Sequence, residues 1–325
     1  MIQTLKPDLI TYSKAVEVET LDASTGTYRA NISDAYLIVS VPNGGYVAAT
    51  IIEAASLHMA PKSQPHPLTA HFEFLTRSTV GPVIITIEVV KPGRQLTTLH
   101  ATLHQQNLLP AAPWTTPSSR KCITAYLTMT SLPLSGLSLT RFTLPNPPPP
   151  TPDFSLLISD TDPNWTSHPF LTTHLRAVAA LQNLHFFAPR PGTPHQPRTI
   201  PDMWIRLSTP NAHFTTSHLP FVIDSLPFSV EALRPAPGHD ENAPFKHDEM
   251  FWYPTVVMNL EVKRPLEERD EVEWLFLRMK TREIRDGRFD LEVVVLDVEG
   301  RLVCVGSQVG LVLGMERNVG GRGKI

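Results

Sequence analysis

P-T-V-V-M-N-L-E-V-K-R-P-L (Pro254 to Leu266), E-W-L-F-L-R-M-K-T-R-E-I (Glu273 to Ile284), R-F-D-L-E-V-V-V-L-D (Arg288 to Asp297) and R-L-V-C-V-G-S-Q-V-G-L-V-L (Arg301 to Leu313) follow one another with little between them. Each run is rich in β-branched or aromatic residues and is bounded by turn residues. Asp286-Gly287 and Glu299-Gly300 have the composition of tight hairpin turns that need positive φ. The spacing predicts a four-stranded antiparallel meander between Tyr253 and Gly314.

Upstream, the same order of elements occurs twice. In V-P-N-G-G-Y-V-A-A-T-I-I-E-A-A-S-L, Asn43 can cap a helix running from about Gly45 to Met59. Four alternating runs follow it: His66 to Ser78, Val83 to Lys91, Thr97 to Gln105 and Lys121 to Met129. Two short strands, Ala15 to Leu21 and Gly26 to Ile32, precede it. In the second half a short strand, Asp202 to Ser208, leads to a helix expected over His218 to Leu233. Pro220 suits that helix's first turn, and Pro227 must kink or loosen it. Pro67 to Arg77 and Pro254 to Arg264 span the same interval, an offset of 254 − 67 = 187 residues. A long helix across a curved antiparallel sheet, made twice, is the hot-dog pattern. Pairing the two sheets edge to edge would protect strands that neither half covers.

The chain has 325 residues, enough for two domains or one doubled unit. Its 42% apolar and 18% charged residues describe an ordinary globular protein, and a net charge of -3 argues against a nucleic-acid partner. No apolar run reaches the roughly 18 residues of a membrane span, and the N-terminus lacks the apolar stretch of a signal peptide. Cys122 and Cys304 sit inside strand-like runs and read as buried thiols in a reducing compartment, so the expected location is the cytoplasm. Many of the 32 prolines cluster at Pro145 to Pro152 and Pro189 to Pro201. The first cluster reads as an extended linker. The expected organisation is a hot-dog unit over 1–135, a Pro-rich linker over 136–160 and a second unit over 161–325 that carries the chemistry.

Covalent and metal routes find little support. There is no G-x-S-x-G elbow, His213 and His218 are not spaced as a metal pair, and neither cysteine has a CxxC partner. The Gly-rich tail V-G-G-R-G-K has no helix after it and so is not a phosphate loop. No cofactor and no metal are expected. Three polar residues stand out in apolar runs: Asp224 in F-V-I-D-S-L-P, Thr255 at the start of the next strand, and Gln308 in V-G-S-Q-V-G-L-V. A carboxylate among Val222, Ile223 and Leu226 is costly unless paired. The corresponding positions of the first half, near Ala48 and Ala49, carry no acid, so the polar set occurs once in a sequence that otherwise repeats.

The doubled layout, N-G-G-Y-V (Asn43 to Val47), H-F-E-F-L-T-R (His71 to Arg77) followed by V-x-K-P-G-R (Val89 to Arg94), F-V-I-D-S-L-P (Phe221 to Pro227), P-T-V-V-M-N-L-E-V-K-R-P (Pro254 to Pro265) and D-V-E-G-R-L-V-C-V-G-S-Q-V (Asp297 to Val309) resemble the TesB-type acyl-CoA thioesterases. The resemblance implies an α+β double hot-dog fold and covers roughly Val16 to Gly314, apart from the Pro-rich connector and an expanded loop at Arg234 to Lys246. It also implies that Asp224, Thr255 and Gln308 hold the attacking water. The family's Asp-His pair after the Thr is Val257-Met258 here, which favours a specialised relative acting on a biosynthetic acyl or polyketide thioester.

Direct hydrolysis then needs Asp224 as the base and donors for an oxyanion. A helix N-terminus supplies free N–H groups, and Gly44, Gly45 and Tyr46 are the first-half candidates, with the start of the second helix as the other option. Phe251 and Trp252 are candidate walls for an acyl tunnel. Arg94, with Lys91 and Arg120, is a candidate for the phosphate of CoA. Arg77 and Arg264 read as strand ends; Asp224 could instead bond a neighbouring backbone group or Arg264, and Gln308, next to Ser307, could be a solvated edge position. Glu53, midway along the first helix, is a rival acid, although solvent exposure accounts for it more simply. His71, His100 and His104 read as satisfied strand residues. The expected partner is a small-molecule acyl thioester, CoA- or carrier-linked, with neither nucleic acid nor membrane; a homodimer through sheet edges is a candidate assembly. The rival functions are a dehydratase, isomerase or cyclase on the same scaffold, and a non-catalytic acyl-binding module.

Overall fold

Alternation becomes pleated sheet throughout the chain. In Arg288–Leu296, for example, Phe289, Leu291, Val293 and Val295 are buried while the residues between them are partly exposed. A computed structural model describes residues 10–168, 178–194, 197, 199–225, 228–236, 238–239 and 242–319. The Gly-rich tail and Pro227, where a kink is expected, lie outside the described residues.

The first half contributes β1 (Val18–Asp22), β2 (Thr27–Ile32), β3 (His66–Phe74), β4 (Gly81–Lys91), β5 (Thr97–Gln105) and β6 (Arg120–Thr130). The second contributes β7 (Trp165–Ser167), β8 (Leu184–Pro189), β9 (Asp202–Leu207), β10 (Thr255–Val262), β11 (Trp274–Lys280), β12 (Arg288–Leu296) and β13 (Leu302–Leu311). All belong to one fourteen-stranded sheet in the order β1-β2-β4-β5-β6-β3-β10-β13-β12-β11-β9-β8-β7, with the two-residue strand Ile284–Arg285 on β12. The halves join where β3 pairs antiparallel with β10, Ala70 opposite Leu260 and Glu73 opposite Val257. The expected edge pairing is therefore internal to the chain.

Two expectations about the second half need correction. The four strands are not a simple meander: β10 pairs with β13, and only β11, β12 and β13 follow one another in space. Asp286 and Gly287 both have positive φ, 51° and 69°, and the β12–β13 turn ends on Gly300 at 73°. The connection 263–273 is too long for such a hairpin, so β10 is free to sit at the centre of the joined sheet. The Pro-rich stretch is not a free spacer either. Leu144, Phe154, Leu157 and Trp165 pack on Phe187, Trp204, Trp274, Phe276 and Leu296. Trp165 Nε1 donates to the carbonyl of Pro150 at 2.8 Å, and Arg278 Nη1 donates to those of Pro145 (2.6 Å) and Asn146 (2.7 Å). The segment closes the outer face of the second unit.

The helices differ more than the repeat suggests. The first spans Gly44–Met59, capped by Asn43, whose side chain accepts from the N–H of Tyr46. Tyr46, Val47, Ala48, Ala49, Ile51, Ile52, Ala54, Ala55 and Met59 are all buried, because this helix lies between the sheet and the second helix. The second covers only His218–Ile223. The chain leaves helical geometry at Asp224 (φ -105°, ψ 10°), and a separate turn forms at Phe228–Glu231. Ser225 Oγ bonds back to the carbonyl of Phe221 at 2.6 Å and closes the last turn. The expected continuous helix over 218–233 thus ends near its middle, at the acid.

Candidate active site

The break puts Asp224 at a helix end, where its side chain can reach out of the helical stack. Its Oδ2 accepts from the backbone N–H of Gly45 at 2.7 Å, and its Oδ1 accepts from Thr255 Oγ1 at 2.7 Å. Thr255 Oγ1 lies 3.2 Å from Gln308 Oε1, and Gln308 Nε2 donates to the carbonyl of Ile223 at 2.6 Å. Three residues from three elements therefore meet at one point. Gln308 is buried, not a solvated edge residue. Arg264 is not Asp224's partner; it pairs with Asp297. Asn43 was unexpected here: while capping the first helix, its Nδ2 donates to the carbonyl of Asp224 at 2.9 Å. Its role as a cap was legible, but its second bond belongs to the other half of the chain.

Burial pushes the Asp224 carboxyl up to about 6, against the opposing pull of bonds from Thr255, Gly45 and Asn43. Each carboxylate oxygen keeps one lone pair free, and Gln308 Nε2 keeps one N–H. Of the first helix's leading N–H groups, that of Gly45 is taken by Asp224 and that of Tyr46 by Asn43, which narrows the expected oxyanion trio. The N–H of Gly44 has no acceptor among the described residues. A Cβ at Gly44 would stand 3.0 Å from the Phe74 ring and 3.1 Å from Asp224 Oδ2, so glycine keeps this approach open.

A cavity of about 430 Å³ opens beside the trio, in the usual range for small-molecule sites. Asp224, Thr255, Gln308 and Gly44 line it, and its walls include Phe74, Leu181, Phe251, Trp252 and Phe289. Phe251 and Trp252, the candidate acyl wall, are among its lining residues. Arg77, expected only to finish a strand, lies at the cavity with its guanidinium 4.1 Å over the Trp252 ring and a bond to the carbonyl of Asn318 at 3.2 Å. Arg94, the candidate for the CoA phosphate, is exposed in the β4–β5 turn and lines no part of this cavity. The register from Lys91 to Thr98, Thr128 and Thr69 carries that turn to the end of β3 opposite Phe74. Lys91 and Arg120 do not line the cavity either, and neither do Val257 and Met258, the latter fully buried in the core.

Glu53 also departs from expectation. It is partly buried, and that burial raises its carboxyl against an opposing pull from Ser217. With Tyr12, Ser217 and His218 it lines a second cavity of about 860 Å³ at the other end of the helix pair. The first half therefore does present an acid to the second, one helical turn beyond the Ala48–Ala49 positions where an equivalent was sought. His218 Nδ1 accepts from the N–H of Thr215 at 3.0 Å, so its Nε2 carries the proton and cannot act as a base. Burial lowers this imidazole to about 3.

The doubled sheet thus brings a carboxylate, a hydroxyl and an amide together beside a largely apolar cavity. Two family models match the chain: the acyl-CoA thioesterase N-terminal domain over residues 33–130 and the acyl-CoA thioesterase C-terminal domain over residues 146–312. The chain belongs to the acyl-CoA thioesterase family, and it is an enzyme that hydrolyses acyl thioesters. The thioesterase-like protein TwmA of Talaromyces wortmannii is 39% identical over 332 residues, covering 95% of this chain and 94% of that one. Among solved structures, a hot-dog protein from Alicyclobacillus acidocaldarius superposes with TM-score 0.67 at 18% identity, covering 93% of this chain and 98% of that one. The acyl-CoA thioesterase II TesB2 of Mycobacterium marinum does so with TM-score 0.56 at 15% identity, covering 94% and 98%. At these identities the structures speak for the fold alone. Among the described residues, no helix is long and apolar enough to cross a membrane.

Proposed function

We propose that Asp224 is the general base of a direct hydrolysis, with Thr255 and Gln308 fixing the attacking water. Water donates one hydrogen to a free lone pair of the Asp224 carboxylate, and its oxygen accepts from the spare N–H of Gln308. Its oxygen forms the bond to the thioester carbon as its proton passes to Asp224. Thr255 then turns its hydroxyl hydrogen toward Gln308 Oε1 and accepts from the protonated acid. The carbonyl oxygen takes the negative charge and is stabilised by the N–H of Gly44. Collapse breaks the C–S bond, and the leaving thiolate recovers the proton from Asp224, giving a free acid and a free thiol.

The observation that carries this reading is the 2.7 Å bond between Thr255 Oγ1 and the elevated Asp224 carboxyl at the cavity wall. General-base assistance contributes about 10²–10⁴-fold. The substrate we propose is a biosynthetic acyl or polyketide thioester, on CoA or a carrier, because Val257-Met258 stands where the resemblance to TesB-type enzymes implies Asp-His. Two buried thiols, Cys122 and Cys304, favour a reducing, cytoplasmic setting. The His218 tautomer weighs against a dehydratase, which needs an imidazole lone pair. The test is thiol release from a panel of acyl-CoAs and acyl-pantetheines. Release that falls about 10²-fold or more in Asp224→Asn supports the base role; an unaltered rate removes it.

A further inference from the structure

We propose that Arg234 is a specificity-determining residue, pinning residues 245–254 as the wall that limits which acyl groups the cavity admits. This rests on the hydrolase reading and concerns the same cavity. Residues 248–254 line it continuously, together with Asp224 and Gln308.

One guanidinium holds the near end of this wall. The two hydrogens of Arg234 Nη1 are shared among three carbonyls, of Glu249 (2.6 Å), His247 (3.0 Å) and Lys246 (3.3 Å). Its Nε and Nη2 form a fork on the Glu231 carboxylate at 2.7 and 3.0 Å, and the Tyr253 hydroxyl donates to the same Oε1 that accepts from Nη2. The ring of Phe245 lies 5.2 Å from the guanidinium carbon. Both charged side chains are shielded, 12% and 6% exposed. The far end is tied separately, by pairing of Phe251 with Gly314 and Trp252 with Leu313. Between those ties Arg234 sets how far the wall stands from the reacting centre. Only a planar fork can bond a carboxylate and three carbonyls at once, so lysine is no substitute.

The experiment compares kcat/KM for butyryl-, octanoyl- and hexadecanoyl-CoA in the wild type, Arg234→Lys, and the double variant Glu231→Leu/Arg234→Met, which strands no buried charge. Tyr253→Phe, removing a single hydroxyl, guards against misfolding of the others. The expected result is a shift of about tenfold or more in the ratio of long to short substrates, with kcat on the best substrate largely kept. An unchanged ratio beside a lowered melting temperature would make the cluster merely structural and overturn the proposal. A uniform fall in kcat would overturn it as well, since Arg234 would then act on the reacting groups. Calorimetric binding of the matching non-hydrolysable thioethers separates the two readings. If the wild type releases no thiol, the hydrolase reading fails, while graded binding still tests the wall.

Discussion

The backbone N–H of Gly45 donates to Asp224 Oδ2 at 2.7 Å across 179 residues of sequence. The contact exists because the two helices touch backbone to backbone: a Cβ at Gly45 would lie 2.2 Å from the Pro220 carbonyl oxygen and 2.6 Å from Asp224 Cβ. Glycine here serves close approach, and the approach is what brings a donor to the carboxylate.

Gly45→Ala should therefore be destabilising despite alanine's better helix propensity. Overpacking against main chain costs about 1–3 kcal/mol, more than the roughly 1 kcal/mol that propensity returns. Thermal unfolding together with thiol release checks this. A variant with wild-type melting temperature and rate would mean that the helices do not meet in this way.

Activity should follow the ionisation of Asp224. Only the carboxylate accepts a proton, and its carboxyl sits at about 6. The logarithm of kcat/KM should climb with pH below about 6 and level off above it. A profile flat from pH 4 to 8 on a stable enzyme would remove the base from this residue.

Stability should run the other way. The folded-state value is raised above the ordinary 3.8, so burial favours the protonated form. That favourable contribution is complete below about 4 and is lost as pH rises through about 6. Asp224→Asn escapes the loss, so its advantage over the wild type should widen between pH 4 and 7 by up to about 3 kcal/mol. Water at the cavity side of Asp224 makes this an upper bound. Denaturant unfolding at several pH values measures it; a constant difference would contradict the burial of the charge.

Thr255→Val keeps the shape and removes the hydroxyl. The bond from Thr255 lowers the Asp224 carboxyl, so its loss should move the inflection of the rate profile upward. A hydrogen bond to a charged group is worth about 1.5–3 kcal/mol, and kcat should fall by roughly 10–150-fold. An unmoved inflection would place Thr255 outside the proton-accepting unit.

Away from the site, Arg278 and Asp202 form a buried fork, 2.7 Å on each arm, with side chains 7% and 0% exposed. Arg278→Met removes both arms of that fork and the donor to the carbonyls of Pro145 and Asn146. Breaking a buried pair costs about 3–5 kcal/mol. Chemical denaturation reads the loss, and protease cleavage within 145–165 should accelerate as the segment lifts. Intact resistance would show that its aromatic packing suffices.

How far the sequence could be read depended on the range of the forces involved. Alternation, turn composition and the cap at Asn43 act over a few residues, so the strands, the first helix and the doubled layout were legible. The trio was legible too, because Asp224, Thr255 and Gln308 break an apolar pattern that the first half keeps. The centre strand's neighbour, the termination of the second helix at Asp224, the burial of Glu53 and the position of Arg94 were not. Each depends on which surfaces pack together once the chain has closed. Local spacing assigns a residue to a face, while tertiary contact decides what that face meets. Only the folded chain could place the amide of Gly45 against a carboxylate from the other half and raise that carboxyl toward neutrality.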